Sequence, residues 1–472
     1  MRAPAMEHVA PAEWRTTISA AVERGAQFDC LYGVSTDFGP EVRLVLREGS
    51  TRRLLTTLAD ESRLDTVVDL TPAAEWDERE AHDLHGVQFG GHAPLRALVD
   101  HPTDRAAWVT TVEGPDVHEI AVGPIHAGVI ESGHFRFHAV GERVLHLDVR
   151  LFYKHRGLER AAEGRTLAGG LPVARRACAA CSVANTVAYV QAAESALGSA
   201  PDEDLRRGRT IVLELERLYN HLHDLSALCA GIGFDPGTMT FAALKERAHR
   251  VNERVAGHRF LFGAVRLGGS ALVIDKATAT DVSREVEAIG LEAAAAWRTL
   301  TFMASADDRF RGVGRLTQED AERWGAVGPV ARASGVDRDV RSDERALLWY
   351  PRLQPARPER ATGDVAARVE LRAVELEQTC TMLAELLSAP PGAGSTAVVH
   401  GPAPIGVGRV ESPRGATVCS VETDGERITR LHLRTASYAN WPVLARVVPG
   451  NILPDFPLIN KSFELCYACV DR

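Results

Sequence analysis

The stretch that decides the fold is Cys178-Ala-Ala-Cys181, which a second stretch with the same spacing matches, Cys466-Tyr-Ala-Cys469. Val470, Asp471 and Arg472 follow the second stretch. A terminal segment is usually frayed unless contacts hold it in place. Two thiols in such a segment, matched by two thiols far upstream, predict that a metal ion holds both segments in the core.

Three kinds of site are compatible with paired Cys-x-x-Cys stretches. Thiolates bind soft or borderline metals such as Zn, Ni, Cu(I) and the iron of Fe–S clusters. In a structural zinc ribbon the two pairs are usually separated by only about 15–20 residues. A thioredoxin-like redox pair needs a βαβ setting, whereas Cys178 lies in a polar segment that leads into a helix. We therefore expect a buried metal centre where two distant segments meet, with structural zinc and redox chemistry as the alternatives.

Length, charge and cysteine content narrow the class of protein. A chain of 472 residues is too long for one core and predicts two or three domains. The net charge of −9 argues against a nucleic-acid partner, because such surfaces are basic. No apolar run is long enough to span a membrane, and the N-terminal segment lacks the apolar core of a secretory signal. Eight cysteines are too few for a disulfide framework, which favours metal binding or catalysis.

The first region, residues 1–105, is predicted to be a small α+β domain. A helix is expected at 11–24, and apolar runs typical of strands follow at 41–46, 53–58 and 66–70. The acidic segment that begins at Trp76 predicts a short helix. Residues 102–115 contain Pro, Thr, Asp and Gly and form the expected linker.

The second region, residues 116–472, is predicted to be mainly helical with peripheral β hairpins, which makes the whole chain α+β. Hairpins are expected at 133–150, turning at Gly141-Glu142, and at 416–433, turning at Asp424-Gly425. Apolar residues recur at helical spacing at Ile211, Leu215, Leu218, Leu222 and Leu225. Further helices are expected at 239–264, 281–304 and 364–388, before a proline-rich segment, 441–457, that leads the tail inward.

The residues around the cysteines resemble the motifs of nickel–iron hydrogenase large subunits. Arg176-Ala-Cys-Ala-Ala-Cys-Ser-Val-Ala-Asn185 is similar to their N-terminal pattern, Arg-x-Cys-Gly-x-Cys-x-x-x-His. Ser462-Phe-Glu-Leu-Cys-Tyr-Ala-Cys-Val-Asp-Arg472 is similar to their C-terminal pattern, Ser-Phe-Asp-Pro-Cys-x-x-Cys-x-x-His/Arg. The segment His155-Arg-Gly-Leu-Glu-Arg-Ala-Ala-Glu-Gly-Arg165 resembles the one that this family carries before its first cysteine pair.

Two further segments resemble a particular branch of that family. Gly123-Pro-Ile-His-Ala-Gly-Val-Ile-Glu-Ser-Gly-His-Phe-Arg-Phe137 is similar to the membrane-associated group 4 branch, of the formate hydrogenlyase type. Residues 75–102 resemble the 30 kDa subunit of respiratory complex I, which is fused ahead of the hydrogenase domain in formate hydrogenlyase large subunits. The hydrogenase domain is itself related to the complex I 49 kDa subunit. The resemblance therefore covers nearly the whole chain in order.

The resemblance implies a set of ligands and supporting residues. Cys178, Cys181, Cys466 and Cys469 would be nickel ligands, and Cys181 and Cys469 would also bridge to an iron that carries CO and cyanide. Glu131 falls at the position of a carboxylate that passes protons to a nickel thiolate, a role for which a buried acid with a raised pKa is suited. Arg414 would overhang the metals as a fixed cation. Arg176 would contact the cyanide side or pair with an acid, and Asn185 would donate a hydrogen bond to a sulfur.

Four positions near these motifs depart from the family patterns. Ala179 replaces glycine, Asn185 replaces histidine, Glu464 replaces aspartate and Leu465 replaces proline. Each lies beside the ligands, where surrounding groups tune a metal site. Glu159 and Arg472 correspond to a ligand of a second cation and to the final residue in hydrogenases. We expect the charge of Arg472 to make that second ion unnecessary.

The function expected from this resemblance is the catalytic subunit of a membrane-associated group 4 hydrogenase that interconverts H2 with protons and electrons. Its partners would be an iron–sulfur small subunit, integral membrane subunits related to complex I, and nickel-insertion maturation proteins, at the inner face of the cytoplasmic membrane. No Fe–S cluster is expected in this chain, because the remaining cysteines, Cys30, Cys229, Cys380 and Cys419, are isolated. Since family precursors carry a removable C-terminal extension, the sequence corresponds either to the mature form or to an assembly without cleavage.

Two other functions remain open at this point. One is a complex I-like, quinone-coupled subunit of an NADH dehydrogenase in which the cysteines hold zinc or no metal. The other is a stand-alone redox or zinc-binding scaffold. The nickel and iron content of the protein separates the hydrogenase from both alternatives.

Overall fold

A mixed β-sheet dominates the N-terminal region of the computed structural model, which describes residues 3–49, 51–126, 131–272, 274–345, 347–351 and 353–472. The sheet has the order β1–β4–β3–β2, with β1 parallel to β4 and the other pairs antiparallel. The elements of this region are β1 Met6–His8, α1 Trp14–Glu23, β2 Gln27–Thr36, β3 Gly39–Glu48, β4 Thr51–Leu58, β5 Arg63–Asp65, α2 Glu75–His85 and β6 Gln88–Gly90.

Both faces of this sheet are buried. One face packs with α1 around a core that includes Trp14, Ile18 and Leu44. The opposite face presents Tyr32 and Leu54 to apolar side chains of the C-terminal region. Strands buried on both faces appear in sequence as nearly continuous apolar runs, so β3 and β4 were predictable.

The second region begins with an antiparallel sheet in the order β7–β8–β9 and continues into a helical body. Its elements up to α7 are β7 His118–Val122, β8 His134–Val140, β9 Arg143–Arg150, α3 Leu158–Ala162, α4 Leu167–Arg175, α5 Ser182–Ala196, β10 Ser199–Pro201, α6 Glu203–Gly231 and α7 Asp235–Ala256. Next come β11 Val265–Arg266, β12 Gly269–Ser270, α8 Lys276–Thr301, α9 Ala304–Phe310, α10 Gln318–Arg323, α11 Gly328–Ala333, α12 Val340–Asp343 and α13 Val365–Ser388. The last elements are β13 Thr396–Val398, β14 Ile405–Ser412, β15 Gly415–Thr423, β16 Ile428–Arg434, α14 Ala436–Val447 and α15 Phe456–Phe463.

The long helix α6 forms the centre of this body. It packs against α7, α13 and α15, and α8 packs on both α7 and α13. The antiparallel sheet β14–β15–β16 lies directly on α5. Close approach is possible because Gly406 and Gly408 face α5: a Cβ atom on either would lie 2.0 Å from a backbone oxygen of the helix.

The predicted α+β class is confirmed, and most of the predicted elements are present. Both predicted hairpins form, as β8–β9 and β15–β16. The second hairpin belongs to a sheet that is buried between α5 and the N-terminal sheet.

Three details of the predicted elements were wrong. Residues 66–70 form a turn and not a strand, because Thr66 and Val67 donate hydrogen bonds to the carboxylate of Glu78 instead of to a neighbouring strand. The strand β2 was not predicted. The segment 441–457, expected to be a proline-rich lead, contains the end of α14, which continues through Pro442 because Trp441, Val443 and Leu444 are buried.

Candidate metal centre

The two dithiol segments lie at the ends of helices. Cys178 lies in the turn that follows α4, and Cys181 is the residue directly before α5. The second segment follows α15, which ends at Glu464 in the left-handed conformation (φ 53°). Glu464 thereby turns the chain so that Cys466 and Cys469 face the first segment.

The four thiols converge in the folded chain. The Sγ atoms of Cys178, Cys181 and Cys469 all lie within 4.8 Å of one another, and these three residues are buried. Cys466, which is partly exposed, has its Sγ 3.3 Å from that of Cys178. Metal–sulfur bonds of about 2.3 Å separate the sulfurs of a tetrahedral site by about 3.8 Å. Three of the sulfurs therefore have the spacing that a soft metal ion requires, and the fourth, that of Cys466, lies beside Cys178.

The ionisation of these thiols favours a bound cation. Hydrogen bonds from Cys181, Cys466 and Cys469 lower the pKa of Cys178 well below its usual range. Hydrogen bonding to Cys178, together with burial, raises the pKa of each of the other three thiols. One thiolate is thus stabilised by three neutral thiols, and further ionisation needs a positive charge among the sulfurs. A metal cation supplies that charge.

Arg414 lies at the tip of the β14–β15 hairpin and is buried. Its guanidinium donates to both carboxylate oxygens of Asp224, at 2.5 and 2.8 Å, and to Asn220 Oδ1 at 3.3 Å. Burial opposes its charge, but the attraction of Asp224, Glu464 and Cys181 raises the pKa of Arg414 above its usual value. The cation is therefore permanent and fixed in direction.

Two polar groups beside the thiols have no hydrogen-bond partner among the described residues. These are the Nε atom of Arg414 and the side-chain amide of Asn185, whose Nδ2 and Oδ1 are both unpaired. Asn185 lies in the first turn of α5 after Cys181 and is fully buried. Unpaired buried donors are rare in folded proteins and indicate a site for a further acceptor. The donor set of four thiols and these free groups fits a metal that carries small polar ligands.

Glu131 lies at the edge of the site. Its carboxylate accepts a hydrogen bond from the backbone N–H of Ala468, between the two cysteines of the second pair, at 2.6 Å. The residue is exposed and not buried as expected, because its loop follows the protein surface. Residues 127–130 of the motif before it lie outside the described part of the chain.

Arg176 is also exposed. Within the described residues its guanidinium has no hydrogen bond or ion pair, and only its backbone carbonyl takes part in the site, as an acceptor from Arg156. The expected pairing with an acid is therefore absent from the described part of the chain. The side chains of Arg414 and Asn185 lie beside the thiols, whereas only the backbone of Arg176 does.

A cavity of about 730 Å³ adjoins the thiols. Its lining includes Glu131, Arg414, Glu464 and Cys466, and apolar side chains such as Phe135 complete it. Burial and the charge of Asp224 raise the pKa of Glu464 to about 7. Its carboxylate lies 3.4 Å from Nε2 of the half-exposed His223. Small molecules and protons thus have space beside Cys466.

A second cluster joins the tail to the N-terminal region. Glu80, Glu159 and His432 offer ligand atoms within 4.8 Å of one another and are buried. The guanidinium of Arg472 lies between the two acids, donating to Glu159 at 2.7 Å and to Glu80 at 2.7 and 3.0 Å. The guanidinium of Arg472 therefore places a positive charge at this cluster.

Several residues of the site were missed by sequence reasoning. Asp224 orients Arg414, Glu216 caps α5 through the N–H groups of Val183 and Ala184, and Glu80 completes the cluster around Arg472. Each acts across a large sequence separation on a residue of another element. No local pattern marks such residues, although the charged side chains interleaved with leucines along α6 were a usable signal.

Among the described residues no helix combines the length and the hydropathy that a membrane crossing requires.

Two protein families match the sequence, and their matches follow the same order along the chain as the motifs. Residues 7–107 match the family described as respiratory-chain NADH dehydrogenase, 30 Kd subunit. Residues 232–400 and 395–472 match the family described as respiratory-chain NADH dehydrogenase, 49 Kd subunit.

Comparison with characterised proteins identifies hydrogenase and complex I relatives. The chain is 32% identical to formate hydrogenlyase subunit 5 of Escherichia coli (strain K12), over 88% of this chain and 78% of the relative. It is 31% identical to hydrogenase-4 component G of the same organism, over 88% and 77%. Identity to an NADH-quinone oxidoreductase component of Cereibacter sphaeroides (strain KD131 / KCTC 12085) is 24%, over 88% and 83%.

A solved structure shares the fold. It is a chain of the membrane-bound sulfane sulfur reductase, an archaeal respiratory membrane complex. The TM-score is 0.69 and the sequence identity 26%, and the match covers 79% of this chain and all of that chain.

Proposed function

Since the chain belongs to the large-subunit family of group 4 nickel–iron hydrogenases, of the formate hydrogenlyase type, we propose that it is the catalytic subunit of a membrane-associated hydrogenase. The chain has a complex I 30 kDa-like region fused ahead of a 49 kDa-like region. The class of enzyme is an oxidoreductase. The reaction we assign is the interconversion of H2 with protons and electrons. The two regions we assign are residues 1–105 and residues 116–472.

The convergence of four thiols is the single observation that carries this proposal. Cys178, Cys181 and Cys469 come together from two distant segments at metal-binding distances, and Cys466 lies 3.3 Å from Cys178. They are the residues that would hold nickel, and Cys181 and Cys469 would share the iron. When bound, the centre supplies the change of oxidation state and the two-electron chemistry that these side chains lack.

The protein's own groups provide the surroundings for that chemistry. Arg414, held by Asp224, presents a fixed positive charge and one unpaired N–H at the buried site. Asn185 offers an amide N–H to a sulfur or to a ligand of the iron. Such donors stabilise charge that develops in a site from which water is excluded.

Proton exchange is assigned to Glu131. Its carboxylate lines the cavity that Cys466 also lines, and it is fixed by the N–H of Ala468. A group that transfers protons must lie within hydrogen-bond reach of the reacting atoms or be linked to them by a water molecule. The exposed position of Glu131 suits the exchange of a proton between the cavity and the surface.

Electron transfer requires a partner protein. We assign no Fe–S cluster to this chain, because Cys30, Cys229, Cys380 and Cys419 are buried at separate positions. An iron–sulfur small subunit would deliver electrons, and integral membrane subunits related to complex I would hold the enzyme at the inner face of the cytoplasmic membrane. Nickel-insertion maturation proteins would load the centre.

Infrared spectroscopy and metal analysis of the purified complex test the proposal. We expect absorption bands of iron-bound CO and cyanide, together with stoichiometric nickel and iron. A complex with only zinc or no metal, and with no such bands, would overturn the hydrogenase assignment. Quinone-coupled electron transfer in that metal-poor complex would instead identify a complex I-like protein, the function of the relative that is 24% identical.

A further inference from the structure

Arg156 contacts both dithiol segments at once. It lies just before α3, in the segment that connects the β8–β9 hairpin to the helical body. Its guanidinium donates to the carbonyl oxygens of Arg176 at 2.9 Å, of Ala177 at 2.7 Å and of Ala468 at 2.7 Å. Ala177 directly precedes Cys178, and Ala468 directly precedes Cys469. The guanidinium of Arg156 therefore links the backbone next to Cys178 with the backbone next to Cys469.

The backbone of Arg156 is fixed to the same tail. Its N–H donates to the carbonyl of Asp471 at 2.9 Å, and the N–H of Lys154 donates to the Asp471 carboxylate at 3.3 Å. The side chain thus starts from a position already defined by the second dithiol segment. Little further freedom is lost when its guanidinium binds the first segment.

Apart from the contacts among the thiols themselves, the other hydrogen bonds at the site hold one segment each. Tyr219 and Asn220 bind the carbonyl of Ala180 in the first segment. Ser437 accepts from the N–H of Cys466, and Thr435 donates to the carbonyl of Cys469, in the second. Within the part of the chain that the structure describes, Arg156 is the residue whose side chain hydrogen-bonds both segments.

Arginine is suited to this position by its shape. Its guanidinium is planar, always charged and carries several N–H donors in a fixed fork, so it can serve three carbonyls at once. A lysine ammonium is a single point on a flexible stem and would bind one segment at a time. The positive charge also lies close to segments whose thiols must become thiolates when metal is bound.

We propose that Arg156 is a positioning residue that holds the two dithiol segments together before metal is bound. It acts through the backbone and does not touch a metal. The inference rests on the proposed function only in assigning the four thiols to one metal centre. Its prediction concerns the metal-free chain, in which the sulfurs of Cys178 and Cys466 should already lie close together.

Controlled oxidation of the metal-free protein tests this inference. The full-length chain is reduced, freed of metal with a chelator and treated with diamide, which oxidises two thiols to one disulfide. Peptide mass spectrometry then gives the ratio of disulfides between the two segments, such as Cys178–Cys466, to disulfides within one segment. This ratio reports how often the two segments lie together.

Two variants and one control complete the experiment. We expect Arg156→Ala to lower the ratio about tenfold, the effect of losing about one net hydrogen bond to a charged group at an exposed site. Arg156→Lys should give an intermediate ratio. Arg160→Ala, which removes an exposed arginine four residues further along, should leave the ratio unchanged. Arg156 is itself exposed, so its replacement leaves no cavity in the core.

The measured ratios decide whether Arg156 positions the two segments, and they do so independently of the test of the proposed function. An unchanged ratio in Arg156→Ala, or a drop of equal size in Arg160→Ala, would overturn the positioning role. If Arg156→Ala does not fold, the Arg156→Lys ratio decides in the same way. Absence of the infrared bands together with a reduced ratio in the Arg156 variants would reject the hydrogenase and retain the positioning role.

Discussion

At the scale of single residues, the guanidinium of Arg414 has some nitrogen atoms that are hydrogen-bonded and one that is not. Two of its nitrogens bind Asp224 and Asn220, while Nε has no partner among the described residues. The bonded nitrogens fix the orientation of the guanidinium, and Nε remains available as a hydrogen-bond donor to a ligand. A permanent cation with a free donor is costly to bury and is therefore expected to contribute to catalysis.

We predict that Arg414→Lys lowers H2 turnover about 100-fold while nickel and iron content stay unchanged. The ammonium keeps the charge but loses the two-pronged contact with Asp224 and the free Nε donor. Turnover and metal content of the purified complex are measured together. Arg209→Lys is the matched control, because Arg209 is equally buried and makes a two-pronged contact with Glu194 away from the thiols. Equal losses in both variants would show a structural effect only.

We predict that Glu131→Gln also lowers turnover, by about 100-fold, without loss of metal. The amide still accepts a hydrogen bond from the N–H of Ala468 but cannot carry a proton. The same change at the exposed loop residue Glu113 serves as the control. Full activity in Glu131→Gln would assign proton exchange to another group of the cavity.

Single residues were predictable where a local motif contained them. The four cysteines, Arg414, Glu159 and Arg472 each lie in a short recognisable stretch. Asp224 and Glu216 were missed as functional residues because what defines each of them is a partner distant in sequence. Arg156 lies in a recognised stretch beside Glu159, but its role was missed because its partners lie on two other segments. The burial of a side chain could not be predicted from its local sequence either. Glu131, expected to be buried, is exposed because it lies in a surface loop.

At the scale of secondary structure elements, α5 depends on a carboxylate from another helix. Glu216 of α6 accepts hydrogen bonds from the N–H groups of Val183 at 2.7 Å and of Ala184 at 3.0 Å. Burial raises the pKa of Glu216 to about 8. This contact caps the helix that begins directly after Cys181, so it also fixes one side of the dithiol site.

We predict that Glu216→Ala lowers the free energy of unfolding by about 2–4 kcal/mol, because two buried N–H groups lose their acceptor. Asp275→Ala is the control: it removes an exposed cap of α8 and should cost about 1 kcal/mol. Urea unfolding of both variants measures the two values. Equal costs would show that the Glu216 contact is no more than an ordinary helix cap.

Helices with one apolar face were predictable, whereas the fully buried helix α5 and the fully buried strand β14 were not. α8 and α13 present the apolar spacing of helices and were expected near their observed bounds. α6 was recognised from its apolar spacing without predicted bounds, and the helix expected at 239–264 is α7, which ends earlier, at Ala256. Every residue of α5 is buried, so no polar face interrupts its sequence to show a period. β14 is likewise buried throughout and contains two glycines, which conceal a strand pattern.

At the scale of the whole molecule, the N-terminal region is joined to the body by buried polar contacts as well as by apolar packing. His85 of α2 takes part through a 3.4 Å contact with Arg430 of β16, and a 2.9 Å contact with Ser35 Oγ orients its ring within the N-terminal region. Burial, the nearby charge of Arg430 and that of His432 lower the pKa of His85 to about 4, against the opposing effect of Glu159. The folded protein therefore keeps this imidazole neutral.

We predict that this histidine makes the protein less stable in mild acid. An unfolded histidine has a pKa of about 6.5, so the unfolded chain binds the proton first as the pH falls. The stability contributed by the neutral form is present above about pH 6.5 and is lost towards about pH 4. Between about pH 7.5 and about pH 5 the loss is about 2 kcal/mol.

The measurement compares the wild-type protein with His85→Gln, which cannot titrate. Thermal or urea unfolding at both pH values gives the difference attributable to His85, since all other titrating groups are common to both proteins. We expect the variant to lose about 2 kcal/mol less on acidification. An identical pH dependence of the two proteins would show that His85 protonates freely in the folded state.

The salt bridge between Arg472 and Glu80 has a consequence for the order in which the protein is made. These residues are 392 positions apart, so translation must deliver nearly the whole polypeptide before the contact can form. Until then Glu80 lacks this partner, whereas Glu159 already has Arg430 at 3.5 Å and His432 at 3.3 Å from β16. Arg409 and Arg434, which pair with Asp29 and Asp77, precede Arg472 in the chain, so the contact with Glu80 completes an interface that earlier residues can already form.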